Sequence, residues 1–112
     1  MSHFKIIVPF YNVEKWILYN IRSIKAQSYK DYECIFVCDQ GTDETADLII
    51  KEIEGDSRFK FYINEERTGA LGSTNYGINK ANPEDENIIV VLDGDDWFAD
   101  GNVLEYLNEV YS

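Results

Sequence analysis

The sequence predicts an α/β fold, a mainly parallel sheet of about four strands flanked by helices, in one domain over residues 1–112. Two patterns carry that expectation. Short runs of β-branched residues alternate with segments whose apolar residues recur at helical spacing, strand then helix four times over. The run Ile88-Ile89-Val90-Val91-Leu92 has no polar interruption, as expected of a strand buried on both faces of a parallel sheet.

Each element has its own local reason. Lys5-Ile6-Ile7-Val8-Pro9 reads as the first strand, closed by Pro9, which has no N–H to give to a ladder. Asn12 is placed to cap the helix that follows, with Glu14 in its first turn, where a carboxylate favours the helix dipole. Ile17, Ile21 and Ile24 form that helix's apolar stripe, with Trp16 and Leu18 beside them. Residues Glu33 to Val37 read as the second strand, and Glu44 to Ile53 as a helix turning Leu48, Ile49 and Ile53 inward. Arg58 to Ile63 alternates, as a third strand nearer an edge would, and Gly69 to Ala81 forms a third helix or helical turn. Asn87 to Leu92 is the fourth strand; Val103 to Tyr111 is a last helix with Val103, Leu104, Leu107 and Val110 on its apolar side. Strands each followed by a helix imply parallel pairing through crossovers.

Composition narrows the function. A chain of 112 residues has room for one core, and 10 Lys plus Arg against 21 Asp plus Glu give a net charge of −11. Such a balance argues against a nucleic-acid binder, which needs a basic face. No apolar stretch reaches transmembrane length, and Met1-Ser2-His3-Phe4-Lys5 leads straight into a strand rather than a signal peptide, so a cytoplasmic protein is expected. Cys34 and Cys38 share one face of a strand about 13 Å apart. They are too distant to pair and read as small buried residues in a reducing compartment. His3, near a terminus, is not expected to be catalytic. Neither GxGxxG nor a P-loop occurs, and Asp93 onward fails as an EF-hand because Trp97 and Leu104 occupy its fifth and twelfth positions.

The chemistry lies in the loops at the carboxyl ends of the strands. These are Pro9-Phe10-Tyr11-Asn12, then Asp39-Gln40-Gly41-Thr42-Asp43, then Asn64-Glu65-Glu66-Arg67-Thr68-Gly69, and Asp93-Gly94-Asp95-Asp96. In a parallel sheet all four meet at one rim, where open α/β folds bind ligands. Asp93, Asp95 and Asp96 repel one another, and a hard divalent cation, Mg²⁺ or Mn²⁺, supplies the counter-charge and completes its shell with substrate phosphates. An aromatic, an isolated Asp, an Arg and clustered carboxylates suit an anionic nucleotide held through a metal. Each residue also has a plainer reading. The acidic cluster alone is a turn, Tyr11 a loop anchor, Asp39 a turn residue beside a helix, and Arg67 a solvated charge. Trp97 is expected to pack beneath the acidic loop.

In order and spacing, the motifs Ile-Ile-Val-Pro-Phe-Tyr-Asn (6–12), Gln27-Ser28-Tyr29-Lys30-Asp31-Tyr32-Glu33, Val37-Cys38-Asp39-Gln40-Gly41-Thr42-Asp43, Asn75-Tyr76-Gly77-Ile78 and Leu92-Asp93-Gly94-Asp95-Asp96-Trp97 span nearly the whole chain. Through them the sequence resembles the nucleotide-sugar-binding half of glycosyltransferase family 2, the inverting enzymes of Rossmann-like GT-A fold. The resemblance implies a UDP-sugar donor. Pro9 and Tyr11 would line the base pocket, Asp39 would accept the uracil ring N–H, and Arg67 would lie near the nucleotide. Asp93 would reach the ribose or a metal-bound water, Asp95 would ligate the metal on the two phosphates, and Asp96 would support them. Two departures stand out. Cys38 replaces the first of two consecutive Asp residues, and Thr74 replaces a cation near the phosphates.

Family members carry the acceptor site and the general base in a second half beyond the acidic loop, and that half is absent from this sequence. The catalytic base and the acceptor are therefore unassigned, and the isolated chain is expected to transfer sugar very slowly or not at all. Asp43, Asp96 and Asp100 are not recommended as the base by their spacing. A different class, a non-catalytic nucleotide-sugar-binding or assembly module, is the alternative. A nucleotidyltransferase is disfavoured, since its glycine- and arginine-rich first loop is missing. In the GT-A fold further strands follow beside the fourth; without them Asn87 to Leu92 lies at an edge, and a homo-oligomer is expected.

Overall fold

The computed structural model describes residues 2–111, so Met1 and Ser112, the two ends of the expected domain, lie outside the described residues. The elements run β1 (Phe4–Phe10), α1 (Ile17–Lys25), β2 (Tyr32–Cys38), α2 (Thr45–Ile53), β3 (Phe59–Ile63), α3 (Gly69–Ala81), β4 (Ile88–Val91) and α4 (Val103–Tyr111). The strands form one parallel sheet in the order β3-β2-β1-β4. This is the expected α/β architecture, in which the order reverses between β1 and β4. Open α/β folds bind ligands at such a switch point, at the carboxyl ends of the strands.

Alternation along the strands sorts the core into two layers. Ile6, Val8 and Phe10 of β1 and Cys34, Phe36 and Cys38 of β2 face Ile17, Ile21 and Ile24 of α1, Ile49 of α2 and Leu104 of α4. Ile7, Ile35 and Val37 point the other way, onto Ala81 and the half-buried Tyr76 and Ile78 of α3. A Cβ on Gly77 would come within 2.7 Å of Ile7 Cγ2 and 3.0 Å of Val37 Cγ2, so glycine there sets how closely α3 lies on the sheet.

Several local expectations are corrected. β1 does not stop at Pro9 but continues through Phe10, paired with Cys38. Leu92 N–H donates to Ile7 O and Gly94 N–H to Pro9 O, so Pro9 faces the β4 side, where the ladder ends at Val91. Its missing donor therefore falls where no partner strand remains. Asn12 does not cap α1, which starts at Ile17 without a side-chain cap. It adopts φ 49° and turns its Oδ1 towards the N–H groups of Thr42 and Asp43, at 2.8 and 3.2 Å, joining the first two rim loops. β4 is not buried on both faces. Ile88 and Val90 pack on the larger core and Ile89 on the smaller, but Val91 at the sheet edge is 48% exposed. At the far end of α4, Val110 is exposed, and only Val103, Leu104 and Leu107 reach the core.

Both cysteines are free and buried, as expected. Burial, followed by the charge of Glu33, pushes the Cys34 thiol well above its ordinary value. No helix among the described residues is long and apolar enough to cross a membrane.

Candidate functional site

The four loops meet at one rim. Beyond β4, Asp93, Asp95 and Asp96 are exposed, and each offers a carboxylate oxygen within 4.8 Å of the others. Burial first, then the charges of Asp95 and Asp96, raise the Asp93 carboxyl above the ordinary carboxylate range. Three oxygen donors held this close against their own repulsion fit a hard divalent cation. The turn is tight for a visible reason. Asp96 N–H donates to Asp93 O at 2.9 Å, and a Cβ on Gly94 would come within 2.6 Å of Phe10 Cβ. Glycine is what allows the acidic turn to press against the end of β1.

Next to this turn, Tyr11 lies in the loop after β1 and is 37% exposed. The Arg67 guanidinium covers its ring, with Cζ 3.4 Å from the centroid, and Arg67 Nε stands 3.6 Å from Asp39 Oδ2. Asp39 itself is buried. Its Oδ1 accepts from Thr68 N–H at 2.8 Å and from Asn64 Nδ2 at 3.2 Å, and its Oδ2 accepts from Gly69 N–H at 2.8 Å. Burial opposes the Asp39 charge, but donation from Thr68, Asn64 and Gly69, with the charge of Arg67, outweighs it, and the carboxyl sits below its ordinary value. Asp39 thus caps the amino end of α3 from another loop, which is why Thr68 needs no side-chain cap of its own. A shallow depression lined by Asn64, Glu65, Glu66, Thr68 and Tyr76 opens beside this network.

The structure brings Tyr11, Asp39 and Arg67 together, sets Pro9 below the acidic turn through its bond to Gly94, and clusters Asp93, Asp95 and Asp96. Asp43 and Asp100 are occupied locally. Asp43 Oδ1 accepts from Thr45 N–H and its hydroxyl, and Asp43 Oδ2 from Glu14 N–H; Asp100 Oδ1 accepts from Asn102 N–H. Thr74 bonds back to Ala70 O within α3. Trp97 does not pack beneath the acidic loop. It is 48% exposed, its ring tilted against Tyr19 at 5.4 Å and Trp16 at 6.5 Å between centroids, while the next residue, Phe98, turns into the core. An apolar residue beside an acidic turn is a poor guide to which of two neighbours faces inward.

A parallel α/β sheet in the order β3-β2-β1-β4 with an acidic loop at its switch point is a Rossmann-like sheet of GT-A type. Residues 5–111 match the sequence profile of Glycosyl transferase family 2, and the chain belongs to that family. It is 36% identical, over 84% of its length, to UDP-Glc:alpha-D-GlcNAc-diphosphoundecaprenol beta-1,3-glucosyltransferase WfgD of Escherichia coli, of which the match covers 36%. Among solved structures it superposes with a TM-score of 0.83 on S. aureus TarS in complex with UDP-GlcNAc, at 23% identity, covering 96% of this chain and 30% of that one. It superposes with a TM-score of 0.82 on the mannosyltransferase PcManGT from Pyrobaculum calidifontis in complex with GDP-Man and Mn²⁺, again at 23% identity, covering 97% of this chain and 31% of that one. At that identity the likeness is one of fold. The chain spans well under half the length of the curated relatives it matches.

Proposed function

We propose that this domain binds the donor of a glycosyl transfer, a UDP-sugar, through a divalent cation, Mn²⁺ or Mg²⁺, on Asp93 and Asp95 with Asp96 in support. The observation that carries the reading is the convergence of three carboxylate oxygens within 4.8 Å at the switch point. They stand on the same rim as the Tyr11–Arg67–Asp39 group. When bound, the cation supplies the positive charge that a diphosphate leaving group requires. The chain's own residues do the rest. Asp93 and Asp95 present oxygens to the cation, Pro9 and Tyr11 form the wall against which a base lies, and Arg67 adds a cation beside it. Asp39 keeps its charge at neutral pH and offers its remaining acceptor capacity to a ring N–H. A base without that N–H would leave this remaining acceptor position of Asp39 unfilled, which is the basis for choosing uracil. TarS in complex with UDP-GlcNAc and the UDP-Glc-dependent relative support the uridine reading, and PcManGT with Mn²⁺ supports a metal.

Calorimetry with UDP, with and without Mn²⁺, tests this. Binding that appears with Mn²⁺ and disappears with a chelator is the expected result. Equal affinity in the presence of chelator would overturn the metal reading, and equal affinity for ADP and UDP would overturn the base assignment.

A further inference from the structure

One polar stripe runs through the otherwise apolar inner side of α1 and its continuation. Asn20 and Gln27 are both fully buried, and Ser23 lies between them. Each is bonded to the segment that leads out of β4. Asn20 Nδ2 donates to Asp93 O at 3.1 Å and to Asp96 O at 2.9 Å. Ser23 Oγ accepts from Phe98 N–H at 3.1 Å. Gln27 Nε2 donates to Asp100 O at 2.7 Å, and its Oε1 accepts from Leu104 N–H at 3.1 Å.

Asn20 differs from its neighbours because its Oδ1 is buried with no hydrogen-bond partner among the described residues. Leaving a buried amide oxygen unpaired costs about 1–3 kcal/mol. An apolar side chain of similar size would fill the space without that cost, so what Asn20 contributes is its pair of N–H donors. Both go to carbonyls that bracket the acidic turn.

We propose that Asn20 is a positioning residue for the metal site, clamping the backbone at Asp93 and Asp96 so that the three carboxylates stay gathered before any cation arrives. The proposal rests on the metal reading of Asp93, Asp95 and Asp96. Like charges push this turn open, and two backbone anchors from a buried helix, together with Gly94 N–H on Pro9 O, oppose that. Partners behind a metal's ligands affect affinity without touching the ion, typically 10- to 100-fold.

The test compares the full chain with Asn20→Leu, which keeps the branched shape and removes both donors, Asn20→Ser, which keeps one donor, and Gln27→Ala, which cuts a buried anchor of the same stripe away from the turn. Amide exchange is read at Gly94, Asp96 and Leu104 against core amides of β1 and β2, and Mn²⁺ alone is titrated by loss of its free paramagnetic signal. Asn20→Leu should speed exchange at Gly94 and Asp96 about tenfold relative to the core and weaken Mn²⁺ binding about 10- to 100-fold. Asn20→Ser should fall between. Gln27→Ala should loosen Leu104 and leave Mn²⁺ affinity within about twofold. Unchanged exchange at Gly94 and Asp96 in Asn20→Leu, or faster exchange with undiminished Mn²⁺ binding, overturns the proposal. A wild type that binds no Mn²⁺ would instead overturn the metal reading, and the exchange rates would still decide whether Asn20 holds the turn.

Discussion

The Arg67 guanidinium lies 3.4 Å from the ring centroid of Tyr11 while its Nε stands 3.6 Å from Asp39 Oδ2. One planar cation thus joins the loops after β1, β2 and β3. A uracil ring would make the same two kinds of contact, a stack on an aromatic face and an N–H towards Asp39. The guanidinium and the base must therefore share or exchange places over Tyr11.

Arg67→Ala is expected to weaken UDP binding up to about fivefold, the ~1 kcal/mol that an exposed ion pair with the anionic nucleotide contributes, and by more at low salt than at high salt. Tyr11→Phe should keep the affinity and Tyr11→Ala should not, because the ring face is the shared element. Calorimetry at two salt concentrations checks all three. Undiminished affinity in Arg67→Ala would mean that the guanidinium only covers an empty face.

Asp39 gives the stability profile a sign. Its folded carboxyl lies below the ordinary value, so its contribution is present above that ordinary value and is lost as pH falls through the folded one. Asp39→Asn, which offers one acceptor oxygen to donors now served by two, should destabilise the chain at pH 7 by about 1–3 kcal/mol. The gap between wild type and variant should close in acid, below the range in which Asp39 is charged. Thermal melts from pH 7 to pH 2 measure it. A gap that persists undiminished at pH 2 would mean that packing, not charge, holds α3.

Most of the fold was legible because each strand and helix is written locally. The periodic segments 44–53, 69–81 and 103–111 mark their helices to within a residue. The errors arose where a residue's role depends on distant chain. Asn12 has the chemistry of a cap, but the loop after β2, 30 residues away, captures its side chain. The run 88–92 has the composition of a doubly buried strand, but burial depends on what flanks it, and Val91 ends a strand that lies at the edge of the sheet. The acidic turn and Asp39 could be picked out because strand ends collect on one rim. Asn20 could not, since its bonds to Asp93 and Asp96 bridge 73 and 76 residues and a polar residue in an apolar stripe has no local signature.

Asp95→Ala should abolish most of the metal-dependent affinity for UDP, whereas Asp85→Ala, on an exposed turn before β4, should change it little. Removing the Asp95 charge should also let the Asp93 carboxyl fall back towards its ordinary value, since Asp95 is the larger of the two charges raising it. Mn²⁺ binding by the wild type should weaken as pH drops through the raised Asp93 value, because protons then compete with the ion. Titrations of Mn²⁺ between pH 7 and pH 4 test the point. A flat profile would remove Asp93 from the site.

Gly77→Ala tests the closeness of α3 to the sheet. The new methyl would meet Ile7 Cγ2 at 2.7 Å and Val37 Cγ2 at 3.0 Å, both on buried strands with no room to retreat. Overpacking of this kind costs about 1–3 kcal/mol. Chemical denaturation should show a lower midpoint with an unchanged slope. An unaltered midpoint would indicate that α3 rides further from the sheet than the contacts place it.

Self-association is the expectation raised by the outer side of β4. Among the described residues the strand pairs with β1 alone, with Val91 48% exposed at the edge. Natural edges are shortened, charged or covered, and the Ile-Ile-Val-Val run is short but neither charged nor interrupted. Pairing of two such edges would satisfy free backbone groups and remove Val91 from water. Against it stands a net charge of −11 per chain, which favours separation at low salt. The balance gives a specific expectation: a monomer–oligomer equilibrium at micromolar concentration that shifts towards the oligomer as salt screens the charge. Val91→Lys, which places a cation on the open edge, should return the chain to a monomer without altering its melting temperature much, since no core contact is lost. Sedimentation equilibrium at two ionic strengths measures both. A single 13.0 kDa species under every condition would leave the edge unpartnered in this chain, and an oligomer that survives Val91→Lys would place the interface on another face.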